Sequence, residues 1–146
     1  MEKRGVLKGE ADHLTQLTDE GWSQARTVGA KLRETFGAFD VAFHSGYART
    51  ADTASGILEA WPEADRERVE MRQHLFLRER DGGYTFNMTS SEAKESFPWL
   101  QDYWDTFGPF YSRPPGGESL ADVATRVHLF LESLKTEFCH KRLDTR

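Results

Sequence analysis

Residues 39–61, FDVAFHSGYARTADTASGILEAW, decide the fold of this chain, because they pass from a strand pattern through a short turn to a helix pattern. The apolar run 39–43 lies between two glycine-containing segments, which predicts a short β-strand. From 48 to 61 the apolar residues recur at steps of three and four, the spacing of a helix that Pro62 ends. The buried stripe predicted for this helix is Ala51, Ala54, Leu58 and Trp61. A strand that leads directly into a helix is typical of α/β proteins.

Two more helices are predicted, one on each side of this unit. The first begins after Thr18, whose hydroxyl can cap a helix, and ends at Gly37. The last begins at Ser119, where Asp122 completes a start that resembles a capping box. Periodicity predicts two buried stripes, which are Trp22, Ala25, Val28, Leu32 and Phe36 in the first helix, and Leu120, Val123, Val127, Leu131, Leu134 and Phe138 in the last.

A second strand is predicted over residues 69–77, where apolar and polar residues alternate. Residues 81–117 then make a long excursion, rich in aromatic residues, with one short helix near 90–97. Residues 1–17 have the glycine-rich and polar composition of a loop. Helices and strands in alternation predict an α/β fold, a three-layer sandwich with a largely parallel sheet.

Two strands are too few for an independent sheet, yet three amphipathic helices each need a sheet face to cover. No strand pattern precedes the first helix or follows Phe138. We therefore expect an incomplete sheet, with the first strand and a late strand missing, in a chain that is cut at both ends. Residues 1–146 are then a single partial domain, in which residues 81–117 form a cap or lid insertion. The cap's aromatic residues are expected to cover a pocket and set specificity, or to pack under the loop, and they are Trp99, Trp104, Phe107, Phe110 and Tyr111.

Charge and composition exclude several classes of protein. The formal net charge is −5, with both signs interspersed, which argues against a partner that is a nucleic acid or an anionic membrane. The one cysteine, Cys139, excludes an intramolecular disulfide and a cysteine-based metal cluster. No apolar run is long enough for a membrane span, and the first residues are polar, so we expect a soluble cytoplasmic protein. The oligomeric state is left open.

The turn after the first strand carries the sharpest chemical signal. Ser45 lies in the turn, and Arg49 lies in the first turn of the helix that follows. Helix N-termini present free N–H groups and a positive dipole end, and a guanidinium adds a planar donor matched to phosphate oxygens. The sequence therefore predicts an anion site at Ser45 and Arg49. The alternative is an arginine that pairs with a nearby carboxylate.

Two other stretches are weaker signals. In LRERDGG, residues 77–83, Glu79 lies just past the second strand, where α/β proteins place their sites, and a glutamate there can act as a general acid. The alternative is a run of solvated charges. In PPGGESL, residues 114–120, a loop followed by a helix cap is a sufficient explanation.

Taken in order, LTDEGWSQA, SGYARTADTA, LRERDGG and PPGGESLADVATRV resemble the motifs of the histidine phosphatase superfamily, which has a phosphoglycerate mutase-like fold. The resemblance runs from about Gly5 to Phe138. Each motif has modest specificity, but four in this order and spacing are hard to obtain by chance. The resemblance implies that the protein hydrolyses phosphomonoesters, or moves their phosphoryl group, through a phosphohistidine intermediate.

The same resemblance implies roles for individual residues. Arg49 matches the second of two arginines that bind the phosphoryl group, and Glu79 matches the acidic residue that protonates the leaving group. Ser45 and Thr53 match other motif positions, with Ser45 at the phosphate. A small phosphorylated molecule is the implied partner, and no metal or organic cofactor is implied, although mutase members require a bisphosphorylated primer. The choice between phosphatase and mutase, and the substrate, are left open.

The sequence departs from the family at its catalytic histidines. It contains neither the Arg-His-Gly of the nucleophile nor the His-Gly of the second histidine. Without that context, each histidine is expected to be structural, and the five are His13, His44, His74, His128 and His140. We therefore expect the chain alone to be inactive, as an incomplete enzyme. The alternative is a catalytically silent relative that binds phosphorylated ligands or a partner protein.

Overall fold

The structure, a computed structural model, describes residues 11–141, with side chains as far as residue 138. The predictions for residues 1–10, Cys139 and His140 therefore lie outside the described backbone or side chains. The described residues fall into two compact units, one that ends at Arg78 and one that begins at Glu79. The expectation of a single domain stays a prediction. Among the described helices, none has the length and apolar character that crossing a membrane requires.

The first unit contains both strands and the helices around them. Two single 3₁₀ turns, Asp12–Leu14 and Leu75–Leu77, lie near its ends. In chain order its helices and strands are α1, Asp19–Phe36; β1, Val41–His44; α2, Ala48–Glu59; α3, Glu63–Arg66; and β2, Glu70–Gln73. The short helix α3 was not predicted.

Strands β1 and β2 pair in parallel, from Val41 opposite Glu70 to His44 opposite Gln73. The N–H of His74 extends this pairing by donating to the carbonyl of His44 at 2.9 Å. Helix α2 follows β1 and packs on it. The strand–turn–helix unit and the parallel sheet are thus confirmed, and the carboxyl ends of both strands lie at the same edge.

Helix α1 begins and ends where its sequence predicts. The Thr18 hydroxyl accepts a hydrogen bond from the N–H of Gly21 at 3.1 Å. Gly37 adopts a φ of +81°, and its N–H donates to the carbonyl of Arg33 at 3.0 Å. A φ of this sign is available to glycine at little cost, which is why the helix ends there.

Small residues allow α1 and α2 to approach closely. An added Cβ at Gly29 of α1 would overlap the backbone carbonyl of Ile57 in α2, and one at Gly56 would lie 2.9 Å from the Cβ of Ala25. Trp61 reaches across and donates from Nε1 to the carbonyl of Gly29 at 2.9 Å. Because α1 packs on α2 through Ala25 and Gly29, the stripe predicted for α1 is wrong at two positions: Val28 and Phe36 are exposed, Phe36 by 69%.

The second strand is shorter than predicted. The strand ends at Gln73, with one further bond from His74 to His44. The next residues form a 3₁₀ turn because the Nδ1 of His74 accepts from the N–H of Phe76 at 3.2 Å and so caps it. The alternation predicts a half-buried strand, and Val69 and Leu77 are half-buried, but the prediction is wrong at two other apolar positions. Met71 and Leu75 are exposed, whereas Arg72 between them is half-buried.

The second unit is helical, with helices α4, Ser90–Ser96; α5, Leu100–Tyr111; and α6, Leu120–Lys141, and a 3₁₀ turn at Gly83–Thr85. Only one of the two helices in the excursion was predicted. That helix, α4, has a complete local signal, since Thr89 and Glu92 form a reciprocal capping box. Helix α5 has none, being rich in aromatic residues and kinked at Gly108, where φ is +76°, just before Pro109.

Helix α6 begins as predicted. The N–H of Ser119 donates to the Asp122 carboxylate at 2.8 Å, and the N–H of Asp122 donates to the Ser119 hydroxyl at 3.1 Å. The helix packs against α5. The stripe predicted for it is wrong at Leu120, Leu131 and Phe138, which are exposed, and Phe130, next to Leu131, is buried.

Candidate functional site

The turn between β1 and α2 is fixed by its own hydroxyl groups. Gly46 has a φ of +87°, and the neighbouring Ser45 is only 3% exposed. The Ser45 hydroxyl accepts from the N–H of Tyr47 at 3.3 Å and lies 2.8 Å from the Thr50 hydroxyl. Because the Thr50 hydroxyl donates to the carbonyl of Tyr47 at 2.8 Å, Ser45 is the donor to Thr50. Ser45 therefore shapes the turn from within it.

Arg49 lies in the first turn of α2 and binds Asp12. Its Nη1 donates to the carboxylate Oδ1 of Asp12 at 2.9 Å and to the carbonyl of Asp12 at 2.8 Å, and its Nη2 lies 3.3 Å from Oδ2. The carboxylate thus occupies the two-pronged donor that a phosphate would use. The geometry is that of the alternative given above, an arginine that pairs with a nearby carboxylate. The role of Arg49 in binding phosphate stays a prediction.

The segment before α1 is tied to the start of α2. The N–H of Arg49 donates to the carbonyl of Thr15 at 3.1 Å, and the N–H of Leu17 lies 3.4 Å from the carboxylate of Asp52. The hydroxyl oxygen of Thr15 is buried and has no hydrogen-bond partner within the described part of the chain. Most buried polar groups are paired, so this hydroxyl without a hydrogen-bond partner is an unusual feature of the segment that binds the start of α2.

Two arginine side chains and the ring of His13 lie near the ring of Tyr47 at the same turn. The guanidinium carbon of Arg49 lies 4.9 Å from the centroid of its ring, and that of Arg78 lies 5.7 Å away. The ring of His13 is 6.5 Å from it, centroid to centroid. Sequence reasoning treated Arg78 as part of a charge run and missed this contact. The parallel sheet was the available signal, since residues that follow neighbouring parallel strands lie at one edge.

Glu79 is exposed and begins the second unit, where its loop is clasped to the loop before α6. The N–H of Glu118 donates to the carbonyl of Asp81 at 2.9 Å, and the N–H of Asp81 donates to the carboxylate of Glu118 at 3.1 Å. Further along, the N–H of Tyr84 donates to the carbonyl of Pro115 at 2.9 Å. We call residues 79–84 and 114–118, held together by these bonds, the loop clasp.

Arg126 of α6 closes the loop clasp. Its Nε and Nη2 donate to the two carboxylate oxygens of Glu118 at 2.9 and 3.0 Å, and Nη2 also donates to the carbonyl of Glu79 at 3.2 Å. The hydrogen bonds from Arg126 hold the pKa of the Glu118 carboxyl below its ordinary value, against the opposing effect of burial. Glu118 is therefore an anion at neutral pH and a strong acceptor for both Arg126 and Asp81.

The histidines of the described region have mostly structural surroundings. The Nδ1 of His44 accepts from the N–H of Gly46 at 3.1 Å, so this ring supports the turn, as the ring of His74 supports its own. His13 and His128 are exposed. In residues 11–138, no group of three or more His, Cys, Asp and Glu side chains is placed to hold a metal.

The predicted site residues fall in both units. Ser45 and Arg49 share one turn of the first unit, and Glu79 belongs to the second. Thr53, the other motif position, donates its hydroxyl to the carbonyl of Arg49 within α2 at 2.7 Å. The geometry supplies an arginine at a helix start and an acidic residue on a braced loop, and the assignment of these residues to a phosphoryl site stays a prediction.

Comparison with known sequences places these motifs in a family. The model of the histidine phosphatase superfamily (branch 1) matches residues 2–143. The chain is 38% identical over 131 residues to a 2,3-bisphosphoglycerate-dependent phosphoglycerate mutase of Rhizobium etli. The aligned region covers 89% of this chain and 59% of that protein. It is 34% identical over 139 residues to a phosphoglycerate mutase-like protein of Arabidopsis thaliana, covering 90% of this chain and 42% of that protein. The chain thus spans about half the length of these two relatives.

Solved structures share the fold. The α-ribazole phosphatase from Shigella flexneri superposes with a TM-score of 0.70 at 22% identity, covering 93% of this chain and 61% of the other. A mycobacterial glucosyl-3-phosphoglycerate phosphatase, solved with inorganic phosphate, superposes with a TM-score of 0.67 at 24% identity, covering 94% of this chain and 62% of the other. At these identities the likeness concerns the fold, and it confirms the predicted phosphoglycerate mutase-like class.

Proposed function

The chain belongs to branch 1 of the histidine phosphatase superfamily, and from this premise we propose that it supplies the phosphate-binding turn and the acid-bearing loop of a phosphomonoester hydrolase. The family transfers the phosphoryl group through a phosphohistidine. In this proposal Arg49 and Ser45 belong to the phosphate-binding turn, and Glu79 protonates the leaving oxygen. A small phosphorylated molecule is the substrate.

One observation carries the proposal, which is the place of Arg49 in the first turn of α2. A guanidinium at a helix start adds its own donors to the positive end of the helix dipole. The neighbouring ring of Tyr47 contacts the guanidinium of Arg78 as well, so two guanidinium groups lie at this turn, that of Arg49 paired with Asp12. A dianionic phosphate is the ligand that matches such a set.

The 146-residue polypeptide is proposed to bind phosphate without turnover. It contains no Arg-His-Gly and no His-Gly, so the covalent route through a histidine has no residue to carry it. Groups that act as a unit lose most of their effect when one member is removed. Arg49 and Glu79 can then hold and orient a phosphate group, but they supply no nucleophile.

A second candidate function is a silent binding module. The contact between Arg49 and Asp12 favours it, because a carboxylate of the chain itself occupies the donor that phosphate needs. In that case the turn is held closed by its own ion pair, and Arg49 stabilises the fold. The two candidates differ in whether phosphate displaces Asp12.

The test has two arms. Titration of the 146-residue polypeptide with phosphate and with vanadate, wild type against Arg49→Ala, measures whether Arg49 binds the anion. The second arm compares turnover of an aryl phosphate by this polypeptide and by an extended chain, defined here as the same residues with an N-terminal strand ending in Arg-His-Gly and a C-terminal strand ending in His-Gly. Binding that depends on Arg49, with turnover only in the extended chain, is the expected result. Equal binding by wild type and Arg49→Ala removes Arg49 from the site.

A further inference from the structure

We infer that Arg126, acting with Glu118, is the positioning residue for Glu79. The inference deepens the proposed function, on which it rests for the role of Glu79. It assigns to helix α6, about forty residues away in sequence, the task of holding the loop that presents the acid.

The geometry of Arg126 differs from that of an ordinary ion pair. Its guanidinium donates two hydrogen bonds to the carboxylate of Glu118 and one to the backbone carbonyl of Glu79. The side chain of Arg126 is only 13% exposed. A planar guanidinium holds such a set of acceptors in fixed directions, which a flexible ammonium cannot do. The backbone position of Glu79 is therefore set by a group on α6.

Glu118 transmits the same restraint to the next residues of the loop. Its carboxylate accepts from the N–H of Asp81, while its own N–H donates to the carbonyl of Asp81. Asp81 in turn accepts from the N–H of Gly83 through its side chain at 2.8 Å. Removal of the guanidinium takes two donors from the Glu118 carboxylate and leaves the N–H of Asp81, so we expect the bonds to Asp81 to loosen.

Arg113 provides a matched control. It also forms a two-pronged ion pair on α6, with Nε and Nη2 each 2.6 Å from the carboxylate of Asp122. Its side chain is 63% exposed, and its two hydrogen bonds to Asp122 lie at the first turn of the helix, outside residues 79–84. Loss of Arg113 removes an arginine–carboxylate pair of the same kind and leaves the loop clasp intact.

The chemistry of the leaving group distinguishes positioning from general support. An alkoxide is a poor leaving group and needs a proton as its bond to phosphorus breaks, whereas a nitrophenolate leaves without one. A misplaced general acid therefore slows alkyl phosphates far more than nitrophenyl phosphate. Loss of folded protein slows both equally.

The first experiment uses the 146-residue polypeptide and measures amide hydrogen exchange at Asp81 and Tyr84 in wild type, Arg126→Met, Arg126→Lys and Arg113→Met. We expect exchange at these two amides to rise roughly tenfold or more in both Arg126 variants, because the local opening becomes easier while other amides of α6 stay protected. Arg113→Met leaves them unchanged. Unchanged exchange at Asp81 in Arg126→Met overturns the inference, as does an equal rise in Arg113→Met.

The second experiment uses the extended chain and compares kcat for an alkyl phosphate and for nitrophenyl phosphate. In Arg126→Met we expect kcat for the alkyl ester to fall roughly 100-fold, the scale of a misplaced catalytic group, with a much smaller change for the aryl ester. Equal losses for both esters overturn the link to Glu79. If the unmutated extended chain turns over neither ester, the proposed function fails, and the exchange experiment still decides whether Arg126 holds the loop.

Discussion

Arg49 and Asp12, 37 residues apart in the sequence, form a two-pronged ion pair in which Nη1 lies 2.9 Å from Oδ1 and Nη2 lies 3.3 Å from Oδ2. Each side chain is about a quarter exposed, so water and small solutes reach the pair. The pair places a carboxylate at the arginine donors that the proposed function assigns to a phosphoryl group. Whether the turn binds phosphate therefore depends on how readily Asp12 gives way.

Asp12→Asn should strengthen anion binding by the 146-residue polypeptide. The change removes the competing negative charge and leaves the arginine donors in place, so phosphate affinity should rise several-fold, since a charged pair is stronger than a neutral one. Titration with phosphate at fixed ionic strength measures it. Asp65→Asn is the control, because Asp65 pairs with Arg33 in the same unit, away from the α2 turn. Equal effects of the two substitutions would show that only net charge matters.

The 146-residue polypeptide should not turn over a general aryl phosphate. The reason is the absence of the nucleophile motif from its sequence. The two histidines nearest the turn, His13 and His44, lack the glycine neighbour of the family nucleophile, and His44 already accepts a hydrogen bond from Gly46. Release of nitrophenolate is the assay. Robust turnover that His44→Ala or His13→Ala abolishes would contradict the prediction.

Gly29→Ala should destabilise the first unit, although alanine is the better helix former. The new Cβ meets the backbone carbonyl of Ile57, which cannot move without shifting α2, and overpacking of this kind costs about 1–3 kcal/mol. Gly21→Ala on the same helix is the matched control. There the Cβ meets side chains and no backbone, namely Leu17, which can rotate, and the Thr18 hydroxyl at an ordinary contact distance of 3.4 Å, so the helix gain of up to about 1 kcal/mol is largely retained. Chemical denaturation of both variants in the extended chain, which we expect to unfold cooperatively, measures the difference, and equal effects would refute the close approach.

The polypeptide should bind a hydrophobic dye and melt without a sharp transition. Large apolar side chains are exposed on α1, α5 and α6, among them Val28, Phe36, Phe107, Leu129 and Leu131. Each forgoes about 1.5–3 kcal/mol of burial, against a typical domain stability of about 5–15 kcal/mol. Far-ultraviolet circular dichroism should still report helix. The extended chain should recover both a cooperative melt and activity. A cooperative, monomeric melt of the 146-residue polypeptide with no dye binding would contradict this.

The loop clasp should weaken in acid. The pKa of Glu118 is lowered by its hydrogen bonds from Arg126 below the ordinary 4.5, so the folded state binds a proton less readily than the unfolded state. The stabilisation is therefore fully present above about pH 4.5 and is lost as the pH falls through the lowered pKa. Amide exchange at Asp81, corrected for its intrinsic pH dependence, should show this loss. Glu118→Gln should flatten the pH dependence, and an unchanged profile would argue against the pair.

The elements that could be predicted from sequence have local causes. Thr18 and Gly37 fix the ends of α1, and Ser119 with Asp122 fixes the start of α6, through bonds between side chain and backbone a few residues apart. Such contacts depend on the residues themselves and hardly on the rest of the chain. The β1–α2 unit is similar, because its apolar pattern changes period within a single turn.

What could not be predicted depends on contacts between distant residues. The exposure of Val28 follows from the approach of α1 to α2, and the early end of β2 follows from the cap that His74 provides. The partner of Arg49 is 37 residues away and that of Glu79 is 47 residues away. The order of the motifs identified the candidate site residues. No pattern along the sequence predicts which carboxylate or carbonyl each of them contacts.

The loop clasp also joins the two ends of the aromatic excursion, residues 81–117. The N–H of Tyr84 donates directly to the carbonyl of Pro115. Next to it Gly83 has a φ of +55°, and the backbone of residues 115–117 lies so close to it that a side chain would not fit. The excursion therefore leaves and returns through one closed neck. Because α5 also packs on α6, changes within the excursion leave the start of α6 in place only where they keep this contact. In the proposed function the excursion is the cap that sets substrate preference and residues 79–84 carry the acid, so we expect a cap grafted from a relative at the same neck to bring that relative's preference with it.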